Sequence, residues 1–94
     1  MSTAEKQLVE IFDRFFESKK LVRVCFEDGA IYDLRILSTM HAEEGGDVVA
    51  DVQTIRPPKS GPLFDWSKAA MNFRLEDVLQ VEHEDERLFR RSAL

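Results

Sequence analysis

An Asp-Gly pair between two alternating apolar runs is the feature of this sequence that most constrains its fold. Apolar residues occupy every second position before Asp28-Gly29 and again after it; they are Val22, Val24 and Phe26, then Tyr32, Leu34 and Ile36. A period of two is typical of a strand with one buried face. Asp-Gly supplies the positive φ angles of a type I′ turn. Residues 21–38 therefore predict an antiparallel hairpin with a type I′ turn.

A helix is predicted before this hairpin, over about residues 3–18. Its apolar residues recur with helical spacing and form one broad face: Leu8, Val9, Ile11, Phe12, Phe15 and Phe16. Ser2 and Glu5 fit a capping box at its start. The apolar face either covers the strands or, where it exceeds what they bury, leaves Phe12, Phe15 and Phe16 for a homodimer.

Five strands are predicted in all. The hairpin supplies the first two, over 21–26 and 30–39, and the others cover 48–55, 71–75 and 78–82. Two prolines end the third strand because neither can donate to a ladder. Residues 56–68 then form a long loop. The last dozen residues form either a frayed helix or a short sixth strand.

The order of these elements resembles that of small Sm-like and SH3-like barrels. The resemblance rests on the helix leading directly into VRVCFEDGAIYDL and on the ending NFRLEDVLQVE. In outline the chain is most similar to the bacterial Rho-binding antiterminator family, small acidic proteins with an N-terminal helix, an Asp-Gly hairpin and an ending similar to RLEDVLQVEHE. The long segment PPKSGPLFDWS departs from that family.

This resemblance implies a mainly β (α+β) chain from a bacterium, with an N-terminal amphipathic helix followed by a five-stranded antiparallel barrel. The barrel would cover about residues 20–84 of a single domain, 1–94, with a tail over 85–94. The family's function implies a partner with a basic RNA-binding surface, for which the acidic face of this chain would compete.

Composition bounds the class of protein. The chain has 94 residues, of which 44% are apolar and 33% charged, as expected of one soluble globular domain. Its single cysteine, Cys25, has no partner for an internal disulfide. The N-terminus lacks the pattern of a signal peptide, and no stretch approaches the roughly 20 apolar residues of a membrane span. The cytoplasm is the expected compartment.

The charge pattern suggests a first candidate surface. A net charge of −5 argues against simple binding to a phosphate backbone. Acidic residues gather at Glu43, Glu44, Asp47 and Asp51, together with Glu27, Asp28 and Asp33. This acidic face would steer a basic protein toward it. The alternative is a solvated surface that keeps a small protein in solution.

A second candidate is the segment 56–75, which carries four bases against one acid. Its basic and aromatic members are Arg56, Lys59, Phe64, Trp66, Lys68 and Arg74. Aromatic rings beside cations are suited to single-stranded RNA or to a protein hot spot. The alternative is a lid, in which Phe64 and Trp66 cover an open end of the barrel.

Catalytic and metal-binding patterns are not found. Cys25 lies within a predicted strand and has no basic cluster beside it in sequence. His41 and His83 are not paired with other zinc ligands. We therefore predict no catalytic residue, cofactor or metal. The predicted function is a non-enzymatic protein-interaction or regulatory module that uses the acidic face, with RNA binding through 56–75 as the alternative.

Overall fold

A computed structural model describes residues 3–40, 42, 46–56 and 64–91, with side chains for all of these except 54–56 and 64–69. These residues form one helix followed by six strands. A 3-10 turn, Leu75–Asp77, joins the fourth strand to the fifth. The elements are α1 (Thr3–Ser18), β1 (Leu21–Phe26), β2 (Ile31–Ser38), β3 (Asp47–Arg56), β4 (Phe64–Arg74), β5 (Val78–His83) and β6 (Glu86–Arg90).

The six strands form one antiparallel sheet in the order β4-β3-β2-β1-β5-β6. The mainly β class and the helix over 3–18 are confirmed. The prediction of five strands is wrong, because the tail continues as β6 and pairs with β5. The described strands form an open sheet. Closure would require the two edge strands, β4 and β6, to pair with each other, and their described residues do not.

The predicted loop over 56–68 is also wrong in its extent. Arg56 ends β3, and β4 begins at Phe64 instead of Met71. The early part of β4 pairs with the far end of β3, where Ile55 lies opposite Phe64. Propensity within 64–70 did not reveal this strand, since it exists by pairing with an edge that β3 supplies.

The turn of the first hairpin differs from the predicted type I′. Gly29 has a φ of 91°, and Asp28 is not among the residues with positive φ. The Gly29 N–H donates to the Phe26 carbonyl at 2.9 Å, and the Phe26 N–H donates to the Ala30 carbonyl at 2.9 Å. This pattern is a three-residue loop with a glycine bulge. The Asp28 carboxylate accepts a hydrogen bond from the Ala30 N–H at 2.9 Å.

The core lies between α1 and one face of the sheet. The helix contributes five buried residues, Leu8, Val9, Ile11, Phe12 and Phe15, so its predicted apolar face is largely used within the chain. Phe16 stays 45% exposed. Of the three residues considered for a homodimer, only Phe16 is therefore available to a partner. No described helix has the length and apolar character needed to cross a bilayer.

A chain of aromatic rings joins the helix to the hairpin. Phe12 meets Phe73 edge to face, with ring centroids 5.5 Å apart. Phe73 meets Phe26 at 5.2 Å, and Phe26 meets Tyr32 at 5.2 Å. Such pairs contribute about 0.5–1.5 kcal/mol each beyond their buried area. They fix how α1 lies across β1, β2 and β4.

Candidate functional site

A groove of about 510 Å³ opens where the end of α1, the start of β1 and the β5–β6 turn meet. Its walls are Lys20–Arg23, Asp33 and Glu82–Asp85. These segments are distant in sequence. They meet because β1 lies between β2 and β5, with Arg23 opposite both Asp33 and Glu82.

Backbone strain is concentrated around this groove. Glu84 and Asp85 form the two-residue β5–β6 turn with φ angles of 49° and 67°, as a type I′ turn requires. Lys19 ends α1 with a φ of 61°. These three are the non-glycine residues with positive φ in the described part of the chain, and all lie in or next to the groove wall. Such strain often occurs at functional sites.

His83 ties the end of β5 to the start of β1. Its Nδ1 lies 2.9 Å from the Leu21 carbonyl oxygen, so an Nδ1–H donates there. The ring also stands edge to face against Phe15, with centroids 5.0 Å apart. These contacts hold the backbone of Leu21 at the groove wall while its side chain remains 47% exposed.

The groove carries more negative than positive charge. Four carboxylates, those of Asp33, Glu82, Glu84 and Asp85, face two cations, Lys20 and Arg23. Arg23 is already bound, because its Nε donates to Asp33 at 2.9 Å. This hydrogen bond raises the pKa of Arg23, against an opposing effect of burial. The exposed Glu84 and Asp85 therefore form a negative rim.

An apolar patch adjoins the groove at the same end of the molecule. We define it as Leu21, which lines the groove, and Leu37, two of the large apolar side chains exposed in the described part of the chain. Leu21 lies opposite Arg35 in the β1–β2 ladder, so Leu37 is its diagonal neighbour on the same face. The end of β2 is held against the helix, because the Thr39 hydroxyl donates to Asp13.

Three of the five described carboxylates of the predicted acidic face are paired with arginines, whereas Glu27 and Asp28 are exposed at the first hairpin turn. Asp51 accepts a hydrogen bond from Arg35, directly opposite on β2, at 2.8 Å. Asp47 lies 3.8 Å from Arg74, its cross-strand neighbour on β4. Asp33 is paired with Arg23 in the same way. Glu43 and Glu44 lie outside the described residues, so their part of the acidic face stays a prediction.

The predicted basic-aromatic segment is divided between strands. Arg56 ends β3, whereas Phe64, Trp66 and Lys68 belong to β4, and for all four the description covers the backbone. Lys59 lies outside the described residues. Arg74 is already paired, with Glu76 at 3.4 Å and Asp47 at 3.8 Å. The one fully described cation of this set therefore has two carboxylates beside it.

Cys25 is half-buried, on a strand position between Arg23 and the turn. Burial, and then the nearby Glu82 carboxylate, raise the pKa of its thiol. A raised pKa keeps the sulfur protonated at neutral pH, which disfavours a nucleophilic role. Within the described ranges, no three His, Cys, Asp or Glu side chains converge as metal ligands would.

Sequence reasoning did not find the groove. The run His83–Glu86 follows the fifth predicted strand and contains neither the glycine nor the asparagine that marks a type I′ turn. The available signal was the apolar pair Leu88-Phe89, for which a short sixth strand was one of two alternatives. A sixth strand implies a hairpin with β5, whose turn then places Glu84 and Asp85 beside β1.

The sequence was also compared with known proteins. No protein family model matches the chain, and no curated protein matches it. A proposal about its function therefore rests on the chemistry of the groove and of the apolar patch beside it.

Proposed function

We propose that this chain is a non-enzymatic protein-interaction module that binds a basic, partly apolar segment of another protein in the groove. The observation that carries the proposal is the negative rim of Glu84 and Asp85 beside an exposed apolar patch. Carboxylates at a rim attract cations and orient them during encounter. Apolar contacts at Leu21 and its neighbours would then supply most of the affinity.

The groove is a different acidic surface from the one predicted around Asp47 and Asp51. In the predicted acidic face, Asp33, Asp47 and Asp51 each have an arginine opposite them, whereas Glu84 and Asp85 are exposed and project from a turn. The Glu84 carboxylate lies 3.7 Å from His83 Nε2, in a ring that is charged only when it is protonated. A basic partner gains more from carboxylates that are not paired with an arginine. The groove is therefore the better-supported surface.

The finer assignment to Sm-like or SH3-like barrels also belongs to this proposal. It is supported by β1 pairing with both β2 and β5, since a late strand must return beside the first for a small barrel to form. The similarity to the bacterial Rho-binding antiterminator family favours a partner whose basic surface normally contacts RNA, in the bacterial cytoplasm. Direct RNA binding through 56–75 stays a prediction that no described contact favours.

The proposal is tested with a fluorescently labelled synthetic peptide that alternates arginine and leucine, followed by anisotropy at low and high salt. Replacing Glu84 and Asp85 together by lysine should weaken binding about tenfold or more. Glu10→Lys combined with Asp77→Lys is the matched control, because both residues are exposed and neither lines the groove. Affinity should fall as salt rises.

Two results would contradict the proposal. Equal weakening by both double variants would show a general charge effect instead of a site. Failure of the wild-type chain to bind the peptide at low salt would remove the groove as a basic-segment site. A labelled single-stranded RNA in the same assay tests the alternative, with Trp66→Ala combined with Lys68→Ala as its variant.

A further inference from the structure

The two edges of the sheet are protected very differently. β6 is short, with five residues of which Glu86, Arg87 and Arg90 are charged. Its end is fastened by Arg91, whose side chain donates to the Val78 carbonyl at 3.0 Å and to the Leu75 carbonyl at 2.8 Å. Short length and charge are common protections of an edge strand against pairing with another chain.

The β4 edge lacks these protections over half of its length. β4 has eleven residues without proline or glycine. From Ala69 to Arg74 it pairs one-to-one with β3, and the register shifts only beyond Val52. Residues 69–73 carry no charge, and Ala70 and Asn72 are exposed. Among the described residues, no strand pairs with the outer edge of β4.

We propose that β4 pairs antiparallel with β4 of a second copy of this chain, over residues 69–74, across a twofold axis perpendicular to the sheet. Antiparallel pairing of one strand with itself satisfies twofold symmetry, which is the commonest symmetry of soluble oligomers. The two open sheets would then continue as one sheet of twelve strands. Outward N–H and C=O groups that otherwise need water would bond to each other.

Symmetry and local charge together favour a second copy as the occupant. Two chains of net charge −5 repel each other overall, so a contact between copies needs an edge that brings no uncompensated charges together. The regular half of β4 meets this need, because residues 69–73 are neutral and Arg74 has Asp47 at 3.8 Å and Glu76 at 3.4 Å. A nucleic acid would need unpaired cations at this edge, which Arg74 does not offer.

The dimer is independent of the proposed peptide site. β4 lies at one end of the strand order, whereas the groove is built on β1, β2 and β5. Both grooves would stay open in the dimer. Two linked grooves would bind a partner with repeated basic segments more tightly than one groove does.

Sedimentation velocity of the full chain, at protein concentrations from about 1 to about 100 μM, gives the first test. The wild-type chain should form a dimer within this range. Ala70→Lys combined with Asn72→Lys should raise the dimer dissociation constant about tenfold or more. Gln7→Lys combined with Ser18→Lys is the control, since it adds the same charge at exposed positions of α1 and should leave the dimer intact.

Hydrogen exchange of the wild-type chain is the second test and needs no variant. Amides of residues 69–74 should become more protected as protein concentration rises, whereas amides of β6 should not change. A wild-type chain that stays monomeric throughout the range overturns the proposal. A dimer that still forms in the β4 double variant also overturns the proposal. The same holds for a dimer in which the amides of α1 or β6, instead of those of β4, become protected from exchange. Protection of β4 only after an extended peptide of another protein is added would replace the second copy by that partner.

Discussion

Replacing Glu84-Asp85 by Asn-Gly separates the strain of the β5–β6 turn from its charge. Both residues hold positive φ angles, 49° and 67°. A left-handed conformation costs a non-glycine residue about 1–2 kcal/mol. Glycine removes that cost but loses about 0.5–1 kcal/mol of backbone entropy, and asparagine and aspartate tolerate the conformation better than glutamate does. The double variant should therefore be about 0.5–2 kcal/mol more stable.

The expected gain in the free energy of unfolding of the Asn-Gly variant is large enough to measure. For a domain of 60–100 residues, each 1 kcal/mol shifts the melting temperature by roughly 4–8 °C. Urea unfolding should show a higher midpoint with an unchanged m-value. The same variant should bind the basic peptide less tightly, because both rim carboxylates are lost. A chain that is more stable yet binds less well would indicate that the strained, charged turn is kept for binding.

Glu84→Gln combined with Asp85→Asn is the comparison variant. It removes both charges but leaves a non-glycine residue at each position, so its stability should rise less than that of Asn-Gly. Its peptide affinity should fall by about the same factor. The reasoning is refuted if Asn-Gly gives no more stability than Gln-Asn. It is also refuted if either variant binds the peptide as well as the wild-type chain does.

Three further predictions concern the core, the β6 edge and the thiol. Phe12→Ala should lower the free energy of unfolding, measured in urea, by about 3–5 kcal/mol. Phe16→Ala should lower it by under about 1 kcal/mol, because Phe16 is 45% exposed. Similar losses for the two variants would contradict the described packing of α1. Arg91→Ala should lower the free energy of unfolding by about 1–3 kcal/mol, since it removes the hydrogen bonds from the side chain to the Val78 and Leu75 carbonyls, and it should speed amide exchange in β6 before other strands. Burial raises the pKa of the Cys25 thiol in the folded chain, so folding stability should decline above about pH 8.5, where the unfolded thiol ionises. Cys25→Ser should abolish that decline, and iodoacetamide should react more slowly with the folded chain than with the unfolded chain at pH 8.

Local periodicity was sufficient to predict much of the fold. The helix over Thr3–Ser18 and the strand Leu21–Phe26 were predicted at their observed bounds, because the spacing of apolar residues directly encodes which face is buried. The later strands were placed approximately for the same reason. Turn geometry was less predictable. Asp-Gly allows both a two-residue and a three-residue loop, and the hydrogen bonds around Phe26 and Ala30 select the longer one.

The strand bounds that failed depend on pairing between distant segments. Residues 64–70 form a strand because the far end of β3 provides an edge to pair with. Residues 86–90, which were left open as a helix or a strand, form a strand because β5 provides another edge. Neither edge can be read from the local pattern. The charge pattern along the chain also does not show which carboxylates are paired, since cross-strand register alone places arginines opposite Asp47 and Asp51.

The sequence by itself determined the secondary-structure class, the apolar face of the helix and the position of the first hairpin, because these follow from interactions between residues close in the chain. Tertiary structure alone decided the open six-stranded order, the groove and the unprotected edge of β4. Each of these needs segments from different parts of the chain to meet, and Glu84 and Asp85 acquire their proposed role only when β5 returns beside β1.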